Sequence, residues 1–188
     1  MSAVALLLTP GAGSSRDHSS LVAIETALAP RVVDRLDFPY RTAGRRAPDR
    51  APVLVAHIRS AAEALVSRAG VPADRLVLGG RSMGGRMCSM AVAEGLPACA
   101  LVLICYPLHP PGKPDNLRIA HLPAITVPCL FIHGTRDPFG SPDELTAATA
   151  MTPGPVTHAW VDGGRHDLKG ADARIASLVK DFVDALSA

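Results

Sequence analysis

Two patterns of apolar residues alternate along this chain. Unbroken runs at residues 4–8, 100–105 and 129–133 predict strands buried on both faces, and Leu76-Val77-Leu78 extends the same reading to residues 75–79. Residues 31–38 instead alternate Val32, Val33, Leu36 and Phe38 with polar positions, as a strand nearer a sheet edge does, and residues 157–161 supply a last strand. Between them the apolar spacing turns helical. Leu54, Ile58, Ala61, Ala62 and Leu65 recur near the 3.6 period and predict a helix over 53–69, stopped by Gly70 with Pro72 beyond. Further helices are predicted over 20–28, ended by Pro30, and over 87–94. In the helix predicted over 141–151, Ser141, Pro142 and Glu144 form a capping-box signature. A closing helix over 171–186 carries Ile175, Leu178, Val179 and Phe182.

Six strands alternating with five or six helices argue for one open, mostly parallel, doubly wound sheet, and residues 1–188 suit a single domain. Hydrophobic residues are 48% of the chain while aromatics are only 4%, so the core has to come largely from Ala, Val, Leu and Ile. Residues 40–52 read as a loop rich in Arg, Gly and Pro. Residues 109–123 read as irregular, with no room for a lid, so access to a site there is expected to be open. Nineteen Lys and Arg against 17 Asp and Glu are too balanced for a polyanion-binding or membrane-binding surface, so neither nucleic acid nor membrane is expected as a partner. The four cysteines form no C-x-x-C pair, and three sit in apolar runs as buried free thiols do, which reads as a reduced, cytoplasmic protein. The apolar start is too short for a leader and lacks a basic flank, and no run approaches bilayer length.

The predicted strand at 75–79 runs into Gly80-Arg81-Ser82-Met83-Gly84 with a helix-competent segment behind it. This is a G-x-S-x-G elbow, in which a strained turn projects the serine and glycines replace side chains that would collide. A packing-only glycine turn is the plain alternative. In a doubly wound sheet the loops after the strand carboxyl ends share one crevice. Those loops offer Gly11-Ala12-Gly13, Ser82, Asp137 and His166, and the last three follow in the order Ser, Asp, His at separations of 55 and 29 residues. Asp137 before Pro138 also suits an Asx turn, and His166 in Gly163-Gly164-Arg165-His166 also suits a solvated loop. His133 reads as packed in its strand, and His18 as a substrate contact at most.

The chain resembles a small α/β-hydrolase of the dienelactone-hydrolase-like kind, and most closely the testis-expressed-type hydrolases. The resemblance rests on Leu-Thr-Pro-Gly-Ala-Gly at the start, Asp37-Phe38-Pro39-Tyr40, Pro48-Asp49-Arg50-Ala51-Pro52, the elbow through Arg86, His133-Gly134-Thr135-Arg136-Asp137 and Gly163-Gly164-Arg165-His166. It implies a minimal α/β-hydrolase fold without the first two antiparallel strands or a cap. Ser82 is then the nucleophile, His166 the general base and acid, and Asp137 the residue that orients it, with the backbone N–H groups of Ala12 and Met83 facing an oxyanion. Pro10 stands where related sequences carry histidine, which leaves the bracing of the oxyanion loop unassigned.

The expectation is a serine-dependent acyl hydrolase, of carboxylesterase or thioesterase type, that acts on a small ester or thioester through an acyl-enzyme. No metal or organic cofactor is expected, and the chain is expected to be a monomer or homodimer. Arg81 joins His18 as a substrate-contact candidate. The arginines at 41, 45, 46 and 50, with Arg81 and Arg86 flanking the elbow, read first as solvated or ion-paired and second as recognition of an acidic substrate such as a carboxylate-bearing ester or a coenzyme A thioester. One alternative is a hydrolase-fold binding module without turnover. The other is a dinucleotide site built on Gly11, Gly13 and Asp37, in which Arg16 replaces the third glycine.

Overall fold

The computed structural model describes residues 4–186. The expectation of one domain over residues 1–188 therefore reaches five positions that lie outside the described residues. Six strands form one sheet: β1 (Ala5–Thr9), β2 (Val33–Arg35), β3 (Leu76–Arg81), β4 (Ala100–Ile104), β5 (Cys129–Gly134) and β6 (Val156–Val161). Every pairing is parallel and the spatial order is β2-β1-β3-β4-β5-β6. All residues of β1, β3, β4 and β5 are buried, which is why their sequences are continuous apolar runs rather than alternating ones.

Helices cover both faces: α1 (Ser19–Leu28), α2 (Pro39–Thr42), α3 (Ala51–Ala69), α4 (Met83–Ala93), α5 (Pro142–Thr149) and α6 (Asp172–Leu186). Alternate strand residues divide between two cores. Leu7, Leu78 and Phe131 pack with α3, α4 and α5, whereas Leu6, Leu8, Val77 and Ile132 pack with α1 and α6. Because the path from β1 goes outward to β2 and then returns to β3, the winding reverses between β1 and β3. Loops leaving the two strands separate there and open a crevice at their carboxyl ends. Among the described residues no helix is long and apolar enough to cross a membrane.

Several boundaries move from the sequence expectation. The strand expected over 31–38 pairs only as Val33–Arg35, because this edge has β1 alone as a neighbour. Residues 40–52 are not all loop: Pro39 opens the single turn α2, and Pro52 sits in the first turn of α3, whose N-terminus it fits. The elbow helix starts at Met83, four residues before the predicted 87. Gly70 ends α3 in the left-handed conformation at φ 65°, and the capping box on Ser141 and Glu144 forms in both directions, as expected. The segment between β4 and β5 contains only a short 3₁₀ turn, Leu122–Ala124.

Candidate active site

Ser82 connects β3 to α4 with φ 47° and ψ −118°, a conformation that L-residues seldom adopt. The surrounding glycines make it possible, though the collisions they avoid are not with each other. A Cβ on Gly84 would lie 2.5 Å from Thr9 Oγ1, and one on Gly80 would overlap the Thr9 carbonyl and hydroxyl. The turn is therefore pressed against the end of β1, and Thr9 completes the joint by donating its hydroxyl to the Gly79 carbonyl at 3.1 Å. Gly85 has the same function toward Gly80, where an added Cβ would lie 2.6 Å from the carbonyl oxygen.

His166 comes from the loop after β6 and Asp137 from the loop after β5. The Ser82 hydroxyl and His166 Nε2 are 2.8 Å apart, and His166 Nδ1 and Asp137 Oδ2 are also 2.8 Å apart. A carboxylate can only accept, so Nδ1 carries the proton and Nε2 presents its lone pair to the Ser82 hydroxyl. The Asp137 side chain is fully buried, while that of His166 is one-quarter exposed. Oδ1 of Asp137 accepts the Phe139 N–H at 2.9 Å. The Asx-turn alternative and the hydrogen bond to His166 thus coexist, one on each carboxylate oxygen. The Phe139 ring lies over His166 with centroids 4.1 Å apart.

His133 packs in its strand as expected. It is fully buried, donates from Nε2 to the Gly140 carbonyl at 2.9 Å, and has its pKa lowered by burial, so it is a neutral strut under the 137–140 turn. His18 caps α1, with Nδ1 accepting from the Ser20 N–H at 3.3 Å. It also lines the cavity in front of Ser82, and burial first and Arg81 second lower its pKa. Arg81 lines that cavity too, yet its donors turn inward. Nη2 reaches the carbonyls of His166 at 3.1 Å and Asp167 at 2.9 Å, and Nη1 reaches Ser20 Oγ at 3.3 Å. With 5% exposure, Arg81 binds the histidine loop of its own chain.

Ala12 and Met83 both border the space in front of Ser82. Met83 is the first residue of α4, so its N–H has no acceptor within the helix. The loop carrying Ala12 is braced without the histidine that Pro10 replaces: the Tyr40 hydroxyl donates to the Ala12 carbonyl at 2.6 Å. Sequence reasoning missed this role of Tyr40; its only signal was membership in the Asp37-Phe38-Pro39-Tyr40 motif. It also missed Cys105, which has φ 51° and places its thiol next to Asp137 and His166. Burial pushes that thiol up to about 12, which keeps it protonated and unreactive.

The dinucleotide alternative fails on local geometry. The Gly11–Gly13 turn does not open a helix, since α1 starts only at Ser19, and Asp37 is engaged by the Arg16 N–H at 2.7 Å. Among the arginines of residues 41–50, Arg45 pairs with Asp49 at 2.7 and 3.0 Å, and none of the four lines the space around Ser82.

A family model for the alpha/beta hydrolase domain matches residues 2–185. This chain belongs to that family. Solved structures of the same fold include Est1E from Butyrivibrio proteoclasticus, 15% identical, covering 99% of this chain and 89% of Est1E, with a TM-score of 0.80. Dienelactone hydrolase from Anabaena variabilis is 20% identical over 98% of this chain and 87% of its own, with a TM-score of 0.76. The esterase domain of a Rhodothermus marinus protein is 16% identical over 97% and 87%, with a TM-score of 0.73. At these identities the likeness shows a shared fold, and the residues of this alpha/beta-hydrolase chain have to carry the chemistry by themselves.

Proposed function

We propose that the protein is a serine-dependent acyl hydrolase acting on a small ester or thioester. The observation that carries this reading is the unbroken hydrogen-bonded chain from Ser82 Oγ through the His166 imidazole to buried Asp137, with both links at 2.8 Å. Ser82 Oγ attacks the carbonyl carbon while its proton passes to His166 Nε2, and Asp137 stabilises the imidazolium that forms. The oxyanion of the tetrahedral intermediate faces the N–H groups of Met83 and Ala12, each such donor contributing roughly 10²–10³ in rate. His166 then gives its proton to the departing alcohol or thiol as the bond to it breaks, leaving an acyl-Ser82. Water attacks that ester, again losing a proton to Nε2. Collapse of the second intermediate releases the carboxylic acid and restores the serine hydroxyl. No step calls for a metal or an organic cofactor.

The test is labelling of the purified protein by a fluorophosphonate probe, read by intact mass, beside Ser82→Ala and His166→Ala. A single stoichiometric adduct in the wild type that is absent from both variants is the expected result. A folded wild-type protein that takes up no probe would overturn the reading and leave a binding role for the fold.

A further inference from the structure

Ser82 stands between two cavities. The larger, about 530 Å³, is lined by His166 with His18, Arg81 and Arg165. The smaller, about 330 Å³, touches Ser82 and Met83 but not His166, and its remaining walls include Arg86, Pro107, Arg118 and Phe139. The proposed reaction assigns the two sides. His166 must deliver its proton to the leaving atom, so the leaving group occupies the cavity that His166 lines. The acyl chain then extends from the carbonyl carbon into the other.

That second cavity holds a charge that no carboxylate among the described residues answers: Arg86 has only the Tyr106 hydroxyl beside it. Nε of Arg86 is buried and makes no hydrogen bond among the described residues. Neither Arg86 nor Arg118 has a carboxylate within ion-pairing distance among the described residues. Arg35, by contrast, is neutralised by Asp17 and Glu25, and the buried Arg81, which has no acid, places its donors on two carbonyls and Ser20 Oγ. Nη1 of Arg118 makes only a long contact, 3.4 Å, with the Pro107 carbonyl. Burial and then the proximity of Arg86 lower the pKa of Arg118, and burial with Arg86 brings the nearby His121 down to about 4, so that imidazole stays neutral. Two guanidinium groups held together in a partly buried wall are unfavourable unless an anion arrives to share them. Arg86 also lies in the first turn of α4, where the helix field favours negative charge.

We propose that the cavity bounded by Arg86 and Arg118 is the acyl subsite, and that the acyl group it accepts ends in a carboxylate. The substrate is then a hemi-ester or hemi-thioester of a short dicarboxylic acid, and hydrolysis releases the free dicarboxylate. This inference rests on the serine-hydrolase reading for its orientation, while the anion site itself does not depend on turnover.

The experiment compares monomethyl glutarate with methyl butyrate, following acid release at constant pH, so that the leaving group is the same and only the acyl terminus differs. The expected kcat/KM favours the hemi-ester by about tenfold or more, the scale of one charge-assisted hydrogen bond. Arg118→Gln collapses that ratio, and Arg118→Lys, which keeps the charge, retains most of it. A wild-type ratio at or below one, or a ratio that Arg118→Gln leaves unchanged, overturns the proposal. Calorimetric titration of glutarate into Ser82→Ala, with and without Arg118→Gln, reads the anion site apart from turnover. Binding that requires Arg118 without cleavage of either ester keeps the carboxylate site and removes the hydrolase reading. Ester cleavage without preference and without glutarate binding removes the carboxylate site alone.

Discussion

Arg81 Nη2 donates to the main-chain carbonyl of His166 at 3.1 Å, so the residue immediately before Ser82 holds the loop that carries its hydrogen-bonded imidazole. Ser82 and the imidazole it bonds are thereby fastened by a side chain whose Nη1 and Nη2 both turn inward. Removing it in Arg81→Ala is expected to lower kcat about 10²-fold, the effect of an ångström-scale misplacement, with KM moving less. Arg81→Lys restores only part, because one ammonium cannot span two carbonyls and Ser20 at once. A rise in KM with kcat unchanged would mean that Arg81 contacts substrate instead.

Asp137→Asn leaves a hydrogen-bonding side chain of the same size but favours the wrong imidazole tautomer. The expected fall in kcat is about 10⁴-fold, smaller than the roughly 10⁶-fold loss expected for Ser82→Ala. Steady-state rates on one activated ester, with folding checked by circular dichroism, distinguish the two. Equal losses in both variants would make Asp137 part of the fold rather than of the proton path.

Tyr40→Phe removes the hydroxyl that holds the Ala12 carbonyl and nothing else. Stability should fall by about 1 kcal/mol, the usual worth of one such bond, as measured by urea denaturation. The acylation rate should fall as well if the Ala12 N–H faces the oxyanion, while a substrate analogue that stays planar should bind unchanged. Full acylation in Tyr40→Phe would detach Tyr40 from the oxyanion loop.

Gly84→Ala introduces a Cβ 2.5 Å from Thr9 Oγ1, next to backbone that cannot retreat. An overpacked joint of this kind costs about 1–3 kcal/mol, and the thermal midpoint should fall accordingly. Thr9→Ser in the same background relieves none of it, because the hydroxyl is retained. An unchanged midpoint would mean that β1 and the serine turn are not packed as tightly as described.

His121 has its pKa brought from 6.5 down to about 4, first by burial and then by Arg86, and its ring bonds Ser89 at 2.8 Å. A group with a depressed folded-state pKa binds a proton more readily when the chain unfolds. Its contribution to stability is therefore present above about pH 6.5 and is lost as pH falls toward 4. His121→Gln should flatten the stability profile over that window in denaturant titrations. A slope identical to wild type would place the proton uptake elsewhere, with buried His133 next in line.

The strands that face helices on both sides were legible as unbroken apolar runs, since burial on two faces leaves no polar positions. Ser82, Asp137 and His166 were legible through their chain order and the elbow motif, because chemistry restricts those residue types and strand-end loops converge. What escaped depends on contacts between distant segments. The start of α4 at Met83 was hidden because Gly84 and Gly85 are poor helix formers, and only their closeness to Thr9 and the Gly80 carbonyl explains them. The inward turn of Arg81 and the Tyr40 brace are side-chain directions that no local pattern encodes. The shortened β2 reflects an edge with one neighbour, which alternation of apolar residues cannot reveal.

The segment between β4 and β5 lends Pro107 and Arg118 to the wall of the smaller cavity beside Ser82 and has a single short 3₁₀ turn as its only regular element. The serine turn, by contrast, is wedged against β1 with no spare room. Diversification of this scaffold is thus channelled. Residues 111–117 are all exposed, so insertions there can lengthen, roof or recharge the pocket, whereas Leu108 and His109 pack on the 137–140 turn and have to stay. A library confined to that stretch is the economical route to new acyl preferences.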